Sequence, residues 1–113
     1  MQPIQFPSTD NEIVRGVLHE PRDARQHPAI IFAHGFLSTR EEYGDYPENF
    51  CARGYVSLAI DFRGHGASDG MRGLISQARM VEDLRHALDF IETVPAWMSI
   101  ALRSLGTVWA GAA

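Results

Sequence analysis

The chain has 113 residues, 45% of them hydrophobic and 21% charged; this ordinary globular composition, at the length of one modest domain, excludes disordered and fibrous classes. Its formal net charge is −4, and its ten Lys and Arg are scattered. No basic stripe is available for phosphate backbones or anionic lipid heads, so nucleic acid is not an expected partner.

Cys51 stands alone, so no internal disulfide can form, and its position predicts a buried helix residue in a protein of a reducing compartment. Met1 to Glu12 has neither a basic n-region nor an apolar h-region. No stretch approaches the ~20 apolar residues of a membrane span. The expectation is a soluble cytoplasmic protein.

In chain order, segments around Ile4 to Phe6 and Ile13 to His19 flank Ser8-Thr9-Asp10-Asn11, whose side chains compete for their own backbone hydrogen bonds and favour a turn. This predicts an opening hairpin. Pro28 to His34 is a short unbroken apolar run, which suits a strand covered on both faces, and Tyr55 to Phe62 reads the same way. Between them, Glu41 to Arg53 predicts a helix with Tyr43, Pro47, Phe50 and Cys51 near its inner side, ending at Gly54.

From Ser76 to Thr93, the residues Met80, Val81, Leu84, Ala87, Leu88 and Ile91 recur at helical spacing, while Glu82, Asp83, Arg85 and Asp89 take the other side. Pro95 stops this helix. A last strand is expected at about Met98 to Leu102, leading into Ser104-Leu105-Gly106 and a small-residue tail that begins another helix. Strands alternating with helices imply an α/β fold, a mostly parallel sheet with flanking helices and right-handed crossovers behind the N-terminal β-hairpin. All of residues 1–113 belong to one partial domain.

Two glycine-bearing turns follow the apolar strands. In His34-Gly35-Phe36-Leu37 the glycine lets the chain turn sharply and exposes the following backbone N–H groups, which can hold an oxyanion. His-Gly alone fits a plain strand-to-helix turn with His34 as a satisfied core histidine. The second, Asp61 to Gly70, is shaped by Gly64, Gly66 and Gly70. It lacks a P-loop's Gly-Lys-Ser/Thr ending, and Asp69 sits where the third glycine of a dinucleotide fingerprint belongs, so phosphate binding is the weaker alternative.

Together, in this order and spacing, the two turns resemble α/β-hydrolases of the esterase, lipase and serine-aminopeptidase kind over roughly Ile13 to Gly111. The resemblance implies an incomplete α/β-hydrolase fold in which the residue after the His-Gly glycine, Phe36, gives one oxyanion N–H. It makes the Asp61 to Ser68 loop mainly structural, so neither His65 nor Ser68 is expected to be catalytic. It also implies a nucleophile in Gly-x-Ser-x-Gly after the next strand, with the following amide as second oxyanion donor. Ser104, Leu105 and Gly106 match that motif.

Leu102 stands where its first glycine belongs, or, in a second alignment, two residues are missing. Either way the turn departs from the pattern, and Trp109 is bulky where the family packs small residues. From the residues alone, Ser104 is equally a helix N-cap.

A serine nucleophile needs a base and a carboxylate to orient it. The family supplies both from loops further along, and none of His19, His27, His34, His65 and His86 has the expected position. Without its base, such a site retains only about 10³ to 10⁴ fold over water. The expected function is therefore a serine hydrolase of carboxylic esters or related acyl compounds, truncated and weakly active or inactive as given, with a small-molecule acyl substrate.

The alternative is a non-catalytic pseudoenzyme or interaction module of the same fold. No metal or organic cofactor is implied, because no cluster has ligand spacing. The last strand lacks a neighbour on one side, and its open edge invites self-association.

Overall fold

A computed structural model describes residues 1–23, 25–74, 76–97 and 107–111. The opening hairpin is present: β1 (Gln2–Pro7) pairs antiparallel with β2 (Ile13–His19), with Phe6 facing Val14, and a single 3-10 turn at Thr9–Asn11 joins them. Asp10 and Asn11 take positive φ there, a conformation these two residue types tolerate well.

The other strands are β3 (Ala29–Ala33), β4 (Val56–Asp61) and β5 (Thr107–Gly111), in the sheet order β1-β2-β4-β3-β5. β3 and β4 pair in parallel, as do β3 and β5, whereas β2 and β4 are antiparallel. The sheet is thus mixed and only its β4-β3-β5 half is parallel, because the hairpin enters it antiparallel.

Every residue of β3 and β4 is buried, the condition their unbroken apolar runs require. On one face Ile31, Leu58 and Ile60 meet Ala87 and Ile91 of α2 (Gln77–Ile91). On the other, Ile30, Phe32 and Ala59 are covered by Tyr43, Phe50 and Tyr55. Layers on both faces are the expected solution for such a sheet.

The predicted helix after β3 is split. A 3-10 turn at Arg40–Tyr43 ends at Gly44, and α1 (Tyr46–Ala52) restarts with Pro47 in its first turn, where a missing N–H costs nothing. Cys51 is half-buried in α1 rather than buried, and its partial burial pushes the thiol pKa up.

α2 begins at Ser76, whose hydroxyl accepts the Arg79 amide at 3.1 Å, a side-chain N-cap. Its inner stripe is narrower than the periodicity suggested. At about 100° per residue, Met80, Leu84, Ala87 and Ile91 form one line, and Val81 and Leu88 lie roughly 80–100° to one side. Both are exposed, at 53% and 41%. Asp83, expected outside, lies about 60° to the other side and is buried at 1% exposure.

The tail is also corrected. Residues 107–111, expected to enter a helix, form β5 and pair from Ala29↔Thr107 to Ala33↔Gly111. Thr, Val and Trp favour a pleated strand, and the free edge of β3 supplies the partner. The strand expected at 98–102 lies outside the described residues.

Candidate active site

The end of the parallel strands marked by Ala33 and Asp61 carries the two glycine-bearing loops, and Asp61 joins them. Its buried carboxylate accepts the Arg40 amide at 2.7 Å and the Ala67 amide at 3.0 Å, and it pairs with the Arg40 guanidinium. One side chain thereby anchors the exit of the first loop and the bend of the second. Gly66, at φ +48°, packs directly against this carboxylate, and a Cβ there would overlap it.

The second loop is tied to its surroundings. The Ser68 hydroxyl donates to the Asp61 carbonyl at 2.5 Å and accepts the Arg15 amide at 2.8 Å. Asp69 takes the Ile13 amide at 3.0 Å and the Arg15 guanidinium at 2.8 Å, and the bond from Arg15 holds its carboxyl below the usual range.

Arg63 is fully buried as a side chain. Its Nε and backbone N–H both reach Asp83, at 2.6 and 2.9 Å, and its other nitrogens reach Glu82, Glu12 and the Thr9 carbonyl. A buried charge is tolerable only when it is paired and hydrogen-bonded in this way. Ser8 adds a 2.6 Å bond to the same Asp83 carboxylate, so hairpin, loop and α2 share one polar centre. The helical pattern gave no sign of it, because phase alone separates polar from apolar positions and cannot name a buried partner.

His34 and His65 sit between the loops with ring centroids 5.0 Å apart. His34 is 2% exposed; its Nδ1 lies 2.7 Å from the Gly35 carbonyl and its Nε2 accepts the Phe62 amide at 3.0 Å. A carbonyl only accepts, so the proton sits on Nδ1 and the ring is neutral. Burial lowers its pKa, which favours the same state. His65 repeats the pattern, with Nδ1 3.0 Å from the Arg63 carbonyl and Nε2 accepting the Leu37 amide at 3.2 Å. Both nitrogens of both rings are engaged, so neither histidine is free to act as a base; His34 is the satisfied core histidine.

The first loop differs in one respect. Ser38 donates to the Gly35 carbonyl, Leu37 to His65, and Gly35 to Glu42, whereas the Phe36 N–H has no acceptor among the described residues. Leu37 beside it holds φ +62°, a left-handed conformation that costs a residue with a Cβ roughly 1–2 kcal/mol.

In the second loop the amides of Gly64, His65, Ala67, Ser68 and Asp69 all donate within the protein. The Gly66 and Gly70 amides of this loop have no acceptor among the described residues. Ser104 and Leu105, the expected nucleophile and second oxyanion donor, lie outside the described residues. The end of β5 level with Ala33, and so with this rim, is Gly111.

Among the described residues no group of three His, Cys, Asp or Glu is placed to hold a metal ion, and no helix is long and apolar enough to cross a membrane.

A family model described as serine aminopeptidase, S33, matches residues 24–111. The quorum-quenching protein AidA of Acinetobacter baumannii is 31% identical over 93 residues, covering 80% of this chain and 30% of that protein. A monoacylglycerol lipase of Mycolicibacterium smegmatis is 34% identical over 64 residues, 56% of this chain and 23% of the lipase. Among solved structures, DcsB in complex with its substrate analogue superposes with a TM-score of 0.84 at 28% identity, over 97% of this chain and 36% of that one.

Ferulic-acid-bound Est1E from Butyrivibrio proteoclasticus superposes at 0.80 over 96% of this chain and 41% of that one, and at 20% identity shows the fold alone. The chain spans about a third of the length of the first relatives it matches. On the family-model match over residues 24–111, with the superposition on DcsB beside it, the chain belongs to the S33 serine aminopeptidase family of α/β-hydrolases.

Proposed function

We propose that this chain carries the oxyanion-binding part of a serine hydrolase acting on carboxylic esters or related acyl compounds. The observation that carries the proposal is the unspent Phe36 amide, held on a strained loop that Asp61 and His65 tie to its neighbour. In a tetrahedral intermediate the carbonyl oxygen gains a full negative charge, and a fixed N–H aimed at it stabilises that charge without reorganisation. By the resemblance Ser104 would attack the acyl carbon and the Leu105 amide would be the second donor, an assignment that the β5 register, with Thr107 level with Ala29 at the end of β3 away from this rim, weighs against. The name of the monoacylglycerol lipase is compatible with an acyl substrate and does not select one.

Neither His34 nor His65, the histidines at this rim, is free to take the serine proton, so the 113-residue polypeptide by itself should hydrolyse esters only weakly. Labelling with a fluorophosphonate probe tests the proposal, with Ser104→Ala as control. Slow labelling that Ser104→Ala abolishes supports an activated hydroxyl. Labelling unchanged in Ser104→Ala removes Ser104 as nucleophile.

A second possibility is a non-catalytic module of the same fold. The β5 register favours it, since Gly111 and not a serine turn reaches the rim. Complete inertness to the probe, in a chain that melts cooperatively, would establish it.

The open side of β5 is the proposed route to self-association, because among the described residues β3 is its only neighbour and unpaired edges recruit other strands. Light scattering that shows only monomer across a hundredfold concentration range would remove this partner.

A further inference from the structure

We infer that His65 is a positioning residue for the Phe36 amide, acting through Leu37, and that it does so only while its ring is neutral. This rests on Phe36 being the oxyanion donor. The Arg63 carbonyl at 3.0 Å fixes the ring proton on Nδ1, which leaves Nε2 as a lone-pair acceptor facing the Leu37 N–H at 3.2 Å. That bond crosses between the two loops. It spans 28 residues of sequence and offsets part of the cost of holding Leu37 at φ +62°.

The Leu37 amide joins directly onto the residue whose own N–H stays unspent, so the peptide plane His65 holds is next to the one that meets the oxyanion. A proton added to Nε2 would turn the acceptor into a donor facing another donor. The loop would then lose its clamp and Leu37 its reason to stay left-handed.

The charged and titratable groups on the elements around His65 have partners of their own. The His34 ring lies against it, the Asp61 carboxylate backs Gly66, Arg40 pairs with Asp61, Arg72 binds the Gly66 and Ser68 carbonyls, and Glu42 reaches the Gly35 amide. None of them reaches Nε2 in place of Leu37. A structural filler would be replaceable by any side chain of like size, whereas a clamp requires an acceptor at that one atom.

The test uses nitrogen-15-labelled full chain, titrated from pH 8.5 to pH 5 and followed by two-dimensional NMR, with amide exchange measured at the high end. The Leu37 amide shift should follow the same midpoint as the His65 ring protons. Leu37 should also exchange at least about fivefold more slowly in wild type than in His65→Ala, the protection expected of one hydrogen bond. His65→Gln, which keeps an acceptor oxygen, should restore protection and abolish the pH response. A Leu37 signal indifferent to His65 protonation in the wild type would overturn the assignment, whether or not either variant folds. Fluorophosphonate labelling, run in parallel, reports separately on the hydrolase: an inert wild type with a titrating Leu37 would refute the catalytic role and leave the clamp standing.

Discussion

The two loops at the rim follow equivalent strands and both turn on glycine, yet they spend their backbone differently. The loop from Asp61 to Gly70 donates most of its amides inward, to the Asp61 carboxylate, to its own carbonyls and to Ile13, and leaves those of Gly66 and Gly70 without an acceptor among the described residues. It is locked further by Ser68, Asp69 and the buried Arg63. The loop from His34 to Thr39 is held at its ends by Asp61 and Glu42 and in its middle by His65, and leaves Phe36 N–H without an acceptor among the described residues. The second loop is the more heavily tied, and so the more rigid, member of the pair.

The difference breaks most visibly at Asp83. Asp83→Ala leaves the Arg63 guanidinium buried without its main partner, and urea unfolding should show a loss of about 3 kcal/mol, the low end for a severed buried pair because Glu82 and Glu12 remain. Gly66→Ala should cost about 2 kcal/mol, combining a left-handed backbone with overlap on the Asp61 carboxylate. If either variant were as stable as wild type, the second loop would not be the rigid member.

Acid should erode both loops through His34. Its folded-state pKa is lowered by burial, so below the unfolded value of about 6.5 the unfolded chain binds a proton that the native chain refuses. Stability is therefore full above that value and falls as pH drops through the window down to the native pKa. His19, also lowered by burial, adds to the same limb. Unfolding against pH in a His19→Gln background should retain a slope of up to one proton, and a flat profile between pH 7 and 5 would contradict a buried neutral His34.

The smallest effect belongs to Phe36. Its side chain is 58% exposed, so Phe36→Ala should change stability by no more than about 0.5 kcal/mol. The N–H survives the substitution, and probe labelling should persist.

Much of the frame was legible because it depends on local patterns. The hairpin follows from turn-forming Ser8 to Asn11 between apolar runs, the buried strands from Ile30-Ile31-Phe32 and Leu58-Ala59-Ile60, and α2 from its apolar spacing and the Ser76 cap. The two glycine loops were legible as a pair, since their order after buried strands is a property of the chain itself.

What the residues could not say is which polar groups meet. Asp83 belonged by helical phase to the outer side, and only the return of β4 brings Arg63 over it. Thr107 to Gly111 could have continued as either element, and the open edge of β3 settled it as a strand.

By itself the sequence determined the order of elements as far as α2, the burial of β3 and β4 and the loops that carry the candidate chemistry, because each depends on neighbours within a few residues. The tertiary structure alone decided the neutral tautomers of His34 and His65, the shared Asp83 centre and the unspent Phe36 amide. Each of these is a hydrogen-bond partnership, or its absence, between segments that meet only when the sheet has formed.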